Sequence, residues 1–313
     1  MKRLLALLAA VALIAGAVFV RSRFINGSKT SDDGGGASVN GKGTSTPKGK
    51  VRVRCTTELA AVCQELESRA GVTVSTGSAA TAADALIAAK PVDFDLWVTP
   101  AVWADLVGAK QPAALAEPVG LARSPLVLVG SFAPTLAALK ANAVCAGTLS
   151  WPCLVELGGQ DWSVVGKDLP SGKVRAVPAG RMVDGFALAS LGQAAADLDA
   201  LGGLASRLRD ELAVLGTSED PADALLSRRA VNVAGAVEAR VRGSAGVVAE
   251  VQPAAFADVV IVGVAGRKVD TKVADMARER LVKEGWSPAA AGDPPSGLPD
   301  AKRLAEARRV WER

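Results

Sequence analysis

The pattern of apolar and polar positions changes character along this chain. Leu4 to Val20 is an uninterrupted apolar run, opened by Met1-Lys2-Arg3 and closed by Arg21 and Arg23. As a helix it reaches about 25 Å, slightly short of the roughly 30 Å hydrocarbon core, a gap that snorkelling arginines make up. From Gly27 to Lys50 the large apolar residues vanish except for Val39, and Gly, Ser, Thr, Asn and Lys take over. Such a segment cannot bury enough surface to offset its ordering entropy. From Val51 onward, short apolar runs of period two alternate with stretches of period near four.

Val51-Arg-Val-Arg-Cys55 alternates as a strand, and Thr56 or Thr57 caps a helix from Glu58 to Ala70 with Leu59, Val62, Cys63 and Leu66 on one face. Gly71 ends it. Val72 to Ser75 is a second strand, and Gly77-Ser78-Ala-Ala-Thr81 opens a helix to Ala89. Phe94 to Val98 is a third strand, followed by a helix to Val107 with Pro100 in its favoured first position. This rhythm predicts a parallel sheet with crossover helices. Val119 to Gly130 is a long apolar strand broken by Ser124-Pro125, too long for an ordinary strand of ~5–6 residues. It reads as a crossing from one lobe into another.

Composition adds a core and subtracts chemistry. Half of the residues are hydrophobic and the net charge is only +4, so residues 51–313 suffice for a large core, and no nucleic-acid footprint exists. There is no His and no Tyr, which removes the common forms of serine, cysteine and metal hydrolases. No cofactor and no metal site is expected, and the chain is read as a non-enzyme. Asp93 and Asp95 are expected to flank their strand on the solvent side rather than act as paired carboxylates. Gly36 to Lys42 imitates a phosphate-binding loop and Ser45-Thr-Pro-Lys48 a penicillin-binding motif. Both sit in low-complexity sequence without the flanking strand and helix.

The leader has two readings. It is a secretory signal with a small-x-small cleavage site at Ala15-Gly16-Ala17, or an uncleaved signal anchor, because the apolar run continues to Val20. Either way the protein is exported: anchored to the cell membrane by residues 4–20, or secreted after cleavage. No cysteine near the end of the run allows a lipoprotein anchor. The four cysteines, Cys55, Cys63, Cys145 and Cys153, agree with export. The local pairings Cys55–Cys63 and Cys145–Cys153 are expected, since each closes a short loop, with four buried thiols as the alternative.

Three successive strands end in hydroxyl-rich turns that feed helix N-termini: Cys55-Thr56-Thr57, Thr76-Gly77-Ser78 and Thr99-Pro100. In an open parallel sheet these turns share the carboxyl edge, where ligands bind. Capping alone would also explain them.

The opening Val51–Ala70, the segment Asp95-Leu-Trp-Val-Thr99 and the crossing Ala122-Arg-Ser-Pro-Leu-Val-Leu-Val129 resemble extracellular solute-binding proteins of the periplasmic type 2 class. They are most similar to the substrate-binding portion of actinobacterial proteins that pair this module with a von Willebrand factor A domain. Gly285-Trp286, Gly297-Leu-Pro-Asp300 and the helix to Trp311 extend the likeness. The sequence departs from that pattern in lacking the von Willebrand domain, so a role that depends on it would need a separate partner.

The resemblance implies an α/β fold of two lobes joined by a hinge of two crossing strands. A signal or transmembrane helix (1–23) and a flexible linker (24–50) would precede it. Lobe one would comprise 51–130 and 251–313, and lobe two 131–250. In lobe two it implies a strand at Val174–Val177, a helix from Arg181 to Leu191, and helical stretches at Ala194–Leu215 and Ala222–Arg229. By position, the cleft would be lined by Thr56, Thr57, Ser78, Thr81 and Thr99 from lobe one. Ser150, Trp151, Arg181 and Asp184 would come from lobe two. Arg181 is read as a carboxylate clamp or an exposed first-turn side chain, and Trp151 as a stacking wall or core. Trp97 and Trp103 are assigned to the core. In the last helix, Leu304 and Trp311 are expected to dock on lobe one, leaving a basic face solvated.

The implied function is extracytoplasmic capture of a small solute (an oxyanion, amino acid or sugar), with a membrane transporter as possible partner. The alternative is a cell-envelope interaction module with a degenerate, ligand-free cleft and a surface-protein partner.

Overall fold

The computed structural model describes residues 50–313 except 168, 170, 181, 183, 198–224, 226–231, 291 and 313. The leader, most of the linker, Arg181 and nearly all of the helical stretches expected beyond Asp197 lie outside the described residues. Among the described residues no helix is long and apolar enough to cross a membrane.

The first sheet is built from β1 (Arg52–Thr56), β2 (Thr73–Gly77) and β3 (Leu96–Pro100), which run parallel with β1 in the middle. Helices α1 (Ala60–Ala70), α2 (Ala79–Ile87) and α3 (Ala101–Lys110) follow these strands. A short 3-10 turn, Thr57–Leu59, precedes α1. Gly71 closes α1 with φ of 64°, a left-handed conformation that glycine adopts at no steric cost. Pro100 does not open α3 as expected: it ends β3, because its residue pair with Val259 keeps it in the sheet.

The sheet is mixed rather than wholly parallel. Strand β4 (Val119–Gly130) and β8 (Phe256–Gly263) join it antiparallel, giving the order β2-β1-β3-β8-β4. The long strand β4 is continuous through Ser124-Pro125. Its first half pairs with β8, Leu126 to Gly130 pairs with β6 (Val233–Val237) on one side, and Val127 to Gly130 pairs with β7 (Val247–Glu250) on the other. A two-residue strand β5 (Ala176–Val177) extends this second sheet beyond β6. The chain therefore leaves the first sheet through β4 and returns through residues 251–255 into β8.

The apolar character of β4 follows from its two faces. Leu126 and Leu128 enter the main core, whereas Val127 and Val129 enter a smaller one with Val177, Leu225, Ala234 and Val241. With both faces covered, the strand has no reason to alternate polar residues. Each such buried Leu or Val contributes about 1.5–3 kcal/mol.

The second lobe carries α4 (Ala133–Ala141), α5 (Trp151–Leu157), the single turn α6 (Trp162–Val165), α7 (Ala187–Asp197) and the turn α8 (Glu238–Val241). The helix expected from Arg181 begins only at Ala187. Asp184 accepts a hydrogen bond from the Phe186 N–H at 2.6 Å and, with Gly185, makes a turn that precedes α7. Met182, Phe186 and Leu191 are buried.

The chain ends with α9 (Thr271–Lys283), the short strand β9 (Ser287–Pro288) beside β4, and α10 (Ala301–Trp311), capped by Asp300. Leu304 and Trp311 are buried. Arg308 of the expected solvated face is covered as well: it grips Asp84 of α2 with two nitrogens, at 2.8 and 2.9 Å, and lies over the Trp103 ring.

Both expected disulfides form. Cys55–Cys63 ties the end of β1 to α1, and Cys145–Cys153 staples the loop between α4 and α5.

Candidate functional site

Among the described residues, the carboxyl edge of the first sheet meets the second lobe beside Thr56 and Glu58. The register Cys55↔Val98 puts Thr56 beside Thr99 at the next position of adjacent parallel strands. Both are fully buried, and neither hydroxyl oxygen has a hydrogen-bond partner. Glu58 stands in the 3-10 turn just beyond, and its Oε2 is likewise buried without a partner.

Across from them stands the Asp184-Gly185-Phe186 turn. The Trp103 indole of α3 donates to the Gly185 carbonyl at 2.7 Å. A Cβ placed on Gly185 would lie 2.9 Å from Glu58 Oε2 and 3.2 Å from Thr56 Cβ, so any larger residue would crowd both side chains. Asp184 is paired with Arg240 of α8 at 2.8 Å, and the guanidinium lies over the Phe186 ring. Burial pushes the Glu58 carboxyl above its ordinary value, and the Asp184 charge pushes it further. Backbone N–H groups of Glu58 itself and of Gly185, together with the Arg240 charge, oppose that rise.

Further contacts hold the lobes together nearby. The Trp311 indole of α10 donates to the Gly180 carbonyl at 3.1 Å, α7 packs on α3 and α10, and Gly192 of α7 sits against Leu304. Beside the turn, a cavity of about 20 Å³ is bordered by Asp184, Phe186, Ser190, Gly235 and Arg240. That is room for a water molecule and nothing larger.

Of the residues read from the sequence, Thr56, Thr99 and Asp184 stand at or beside this junction. Thr57 and Thr81 are exposed. Ser78 and Ser150 act as N-caps, accepting from the N–H groups of Thr81 and Cys153, both at 3.4 Å. Trp151 is fully buried, which settles its side chain into the core rather than along an open wall. Arg181 lies outside the described residues. Asp93 and Asp95 do not form a carboxylate pair with each other. Arg52 binds Asp95 with its side chain and backbone N–H, holding that carboxyl below its ordinary value, and Asp93 faces Arg54.

Sequence reasoning missed Glu58, Gly185 and Arg240, and took Trp103 for core alone. Trp103 is indeed buried, and its indole N–H finds an acceptor where those of the buried Trp151 and Trp162 do not, a difference the sequence does not signal. Gly185 follows an Asp whose side chain accepts from the Phe186 N–H, a pattern that marks a turn without revealing what it touches.

The arrangement of two lobes on separate sheets, joined by β4 and its returning partner, has counterparts among solved structures. The periplasmic binding protein AfuA from Actinobacillus pleuropneumoniae, with exogenous fructose-6-phosphate bound, superposes with a TM-score of 0.55 at 13% identity. The match covers 85% of this chain and 97% of that one. The fold is that of a periplasmic binding protein. A second periplasmic binding protein, P5PA, matches with a TM-score of 0.51 at 14% identity, covering 85% and 96% of the two chains. No protein-family model matches the sequence, and a search of curated proteins finds no significant match.

Proposed function

We propose that this protein is an extracytoplasmic solute-binding protein. It captures a small ligand between its lobes, at the strand ends that carry Thr56 and Thr99, and works with a membrane transporter. The observation that carries the reading is the pair of fully buried, unpartnered hydroxyls at the carboxyl edge of the first sheet. Buried polar groups without partners cost free energy, and a ligand or its hydration water is the usual compensation. Opening about β4 and residues 251–255 would expose them, and closure on a ligand would cover them again. The two disulfides and the fold support an extracytoplasmic location. Attachment to the membrane through residues 4–20 is part of the same proposal, as is the placement of lobe one at 51–130 and 251–313 and lobe two at 131–250.

A second reading is favoured by a specific observation: the Gly185 turn already occupies the edge of lobe one. In that reading the cleft is degenerate and the protein is an envelope interaction module.

Thermal unfolding of the full chain in mild detergent, against oxyanions, amino acids and sugars, separates the two. A ligand at a hundred times its dissociation constant adds about 2.7 kcal/mol of stability, a visible rise in midpoint. A saturable shift from one class supports solute binding, and a flat response across the panel supports the interaction module.

A further inference from the structure

The segment seated on lobe one is itself informative, because a glycine residue within a chain has the main-chain atoms of an α-amino acid. At Gly185 the carbonyl oxygen accepts from Trp103 Nε1 at 2.7 Å, and the N–H faces the Glu58 carboxyl. A Cβ on Gly185 would lie 3.2 Å from Thr56 Cβ and 3.3 Å from its Oγ1. The fit is unequal at its two ends. Trp103 has its acceptor, whereas Glu58 Oε2, Thr56 Oγ1 and Thr99 Oγ1 all remain without a partner. The peptide N–H groups of Glu58 and Gly185 reach the Glu58 carboxyl but leave its Oε2 and both threonine hydroxyls without a partner. An ammonium group carries three N–H bonds and a full positive charge, and its hydrogen bond to a carboxylate is about twice as strong as a neutral one.

We infer that the edge of lobe one takes a free α-amino acid in the place held by Gly185, its ammonium at Glu58 and Thr56 and a carboxylate oxygen at Trp103 Nε1. This rests on the solute-binding reading and names the ligand class of that same site. Separation of the lobes withdraws Gly185 from Thr56 and frees Trp103 Nε1–H for the ligand. An inorganic oxyanion is disfavoured here, because it would bring negative charge against Glu58 while the Arg240 guanidinium is already paired with Asp184. A neutral sugar lacks the charge that Glu58 would pair with.

The test is titration calorimetry on the full chain in mild detergent, with free amino acids, inorganic phosphate and glucose as probes. At least one free amino acid is expected to bind saturably. Its N-acetyl derivative and the corresponding amine lacking the carboxylate should each bind at least tenfold more weakly. Glu58→Gln, which preserves shape, should weaken that amino acid by about ten- to a hundredfold, as expected for a hydrogen bond to a charged group. Trp103→Phe should weaken it about tenfold, and if that variant fails to fold, Glu58→Gln and the N-acetyl derivative still decide. Binding of phosphate or glucose with amino acids silent overturns the inference and leaves the solute-binding reading standing. Amino-acid binding indifferent to Glu58→Gln overturns the inference too. Silence across all probes overturns both.

Discussion

Arg123 and Glu58 are both charged side chains covered by the fold, and the structure treats them in opposite ways. Arg123 lies on β4 where the strand runs between the lobes. Asp258 accepts from its Nε and Nη2 at 2.6 and 2.9 Å, the Pro294 carbonyl accepts from its Nη1, and its guanidinium lies over the Phe256 ring. Glu58 keeps a buried oxygen with no partner and faces a second carboxylate, Asp184. A hinge has to keep its geometry while the lobes move, and Arg123 is satisfied within lobe one and its returning strand. A ligand surface has to leave some groups unsatisfied, because those are what the ligand completes. Other buried polar atoms also lack partners, among them Thr135 Oγ1, Gln193 Oε1 and the Trp151 and Trp162 indoles, so what marks the candidate site is three unpartnered oxygens gathered at one sheet edge.

The largest expected effect that would break this contrast is at the hinge. Asp258→Ala leaves a largely covered guanidinium without its carboxylate and should cost about 3 kcal/mol, measured by chemical unfolding. A loss below about 1 kcal/mol would mean that the pair behaves as a surface ion pair and that the contrast fails.

Next come the disulfides, which close loops of equal length, each with a sequence separation of 8. Chain entropy alone assigns about 2.5 kcal/mol to either double Cys→Ser variant. Only Cys55–Cys63 adjoins Thr56, so only its loss should weaken ligand binding as well. Equal effects on binding from both variants would sink that distinction.

Gly185→Ala sets a methyl group against Glu58 Oε2 and Thr56, which should cost about 1–3 kcal/mol and hold the lobes apart. Small-angle scattering should then report a larger radius of gyration than the parent protein has. An unchanged radius would show that the turn does not control closure.

The smallest effect is a pH dependence. The folded state holds the Glu58 proton more tightly than the unfolded state does. Its stabilising contribution is therefore complete below the ordinary glutamate range and is lost as pH rises through the raised folded value. Glu58→Gln should flatten that part of the stability profile. A profile that keeps its slope in the variant would assign the dependence to another group.

Much of lobe one was legible before any coordinates. Period-two runs, Ser and Thr before helices and the glycine after α1 are local signals, and they locate β1, β2, β3 and their helices to within a few residues. The long apolar run of β4, broken by Ser124-Pro125, announced a strand that crosses between lobes, and the cysteine spacing favoured the observed pairings. Thr56 and Thr99 could be picked because strand ends in a parallel sheet share an edge, whichever way the rest of the chain folds.

Local signals end there. That β8 and β4 join antiparallel depends on a partner more than a hundred residues away along the chain, for which neither strand carries a mark. The same holds for Glu58, Trp103 and Gly185. Each is ordinary in its own stretch of sequence (a first-turn acid, a core indole, a turn glycine), and only tertiary packing brings the three into contact. Secondary structure and edge position follow from interactions between near neighbours, which periodicity records. The chemistry of the cleft follows from which partners are missing, and an absent partner is a property of the assembled fold.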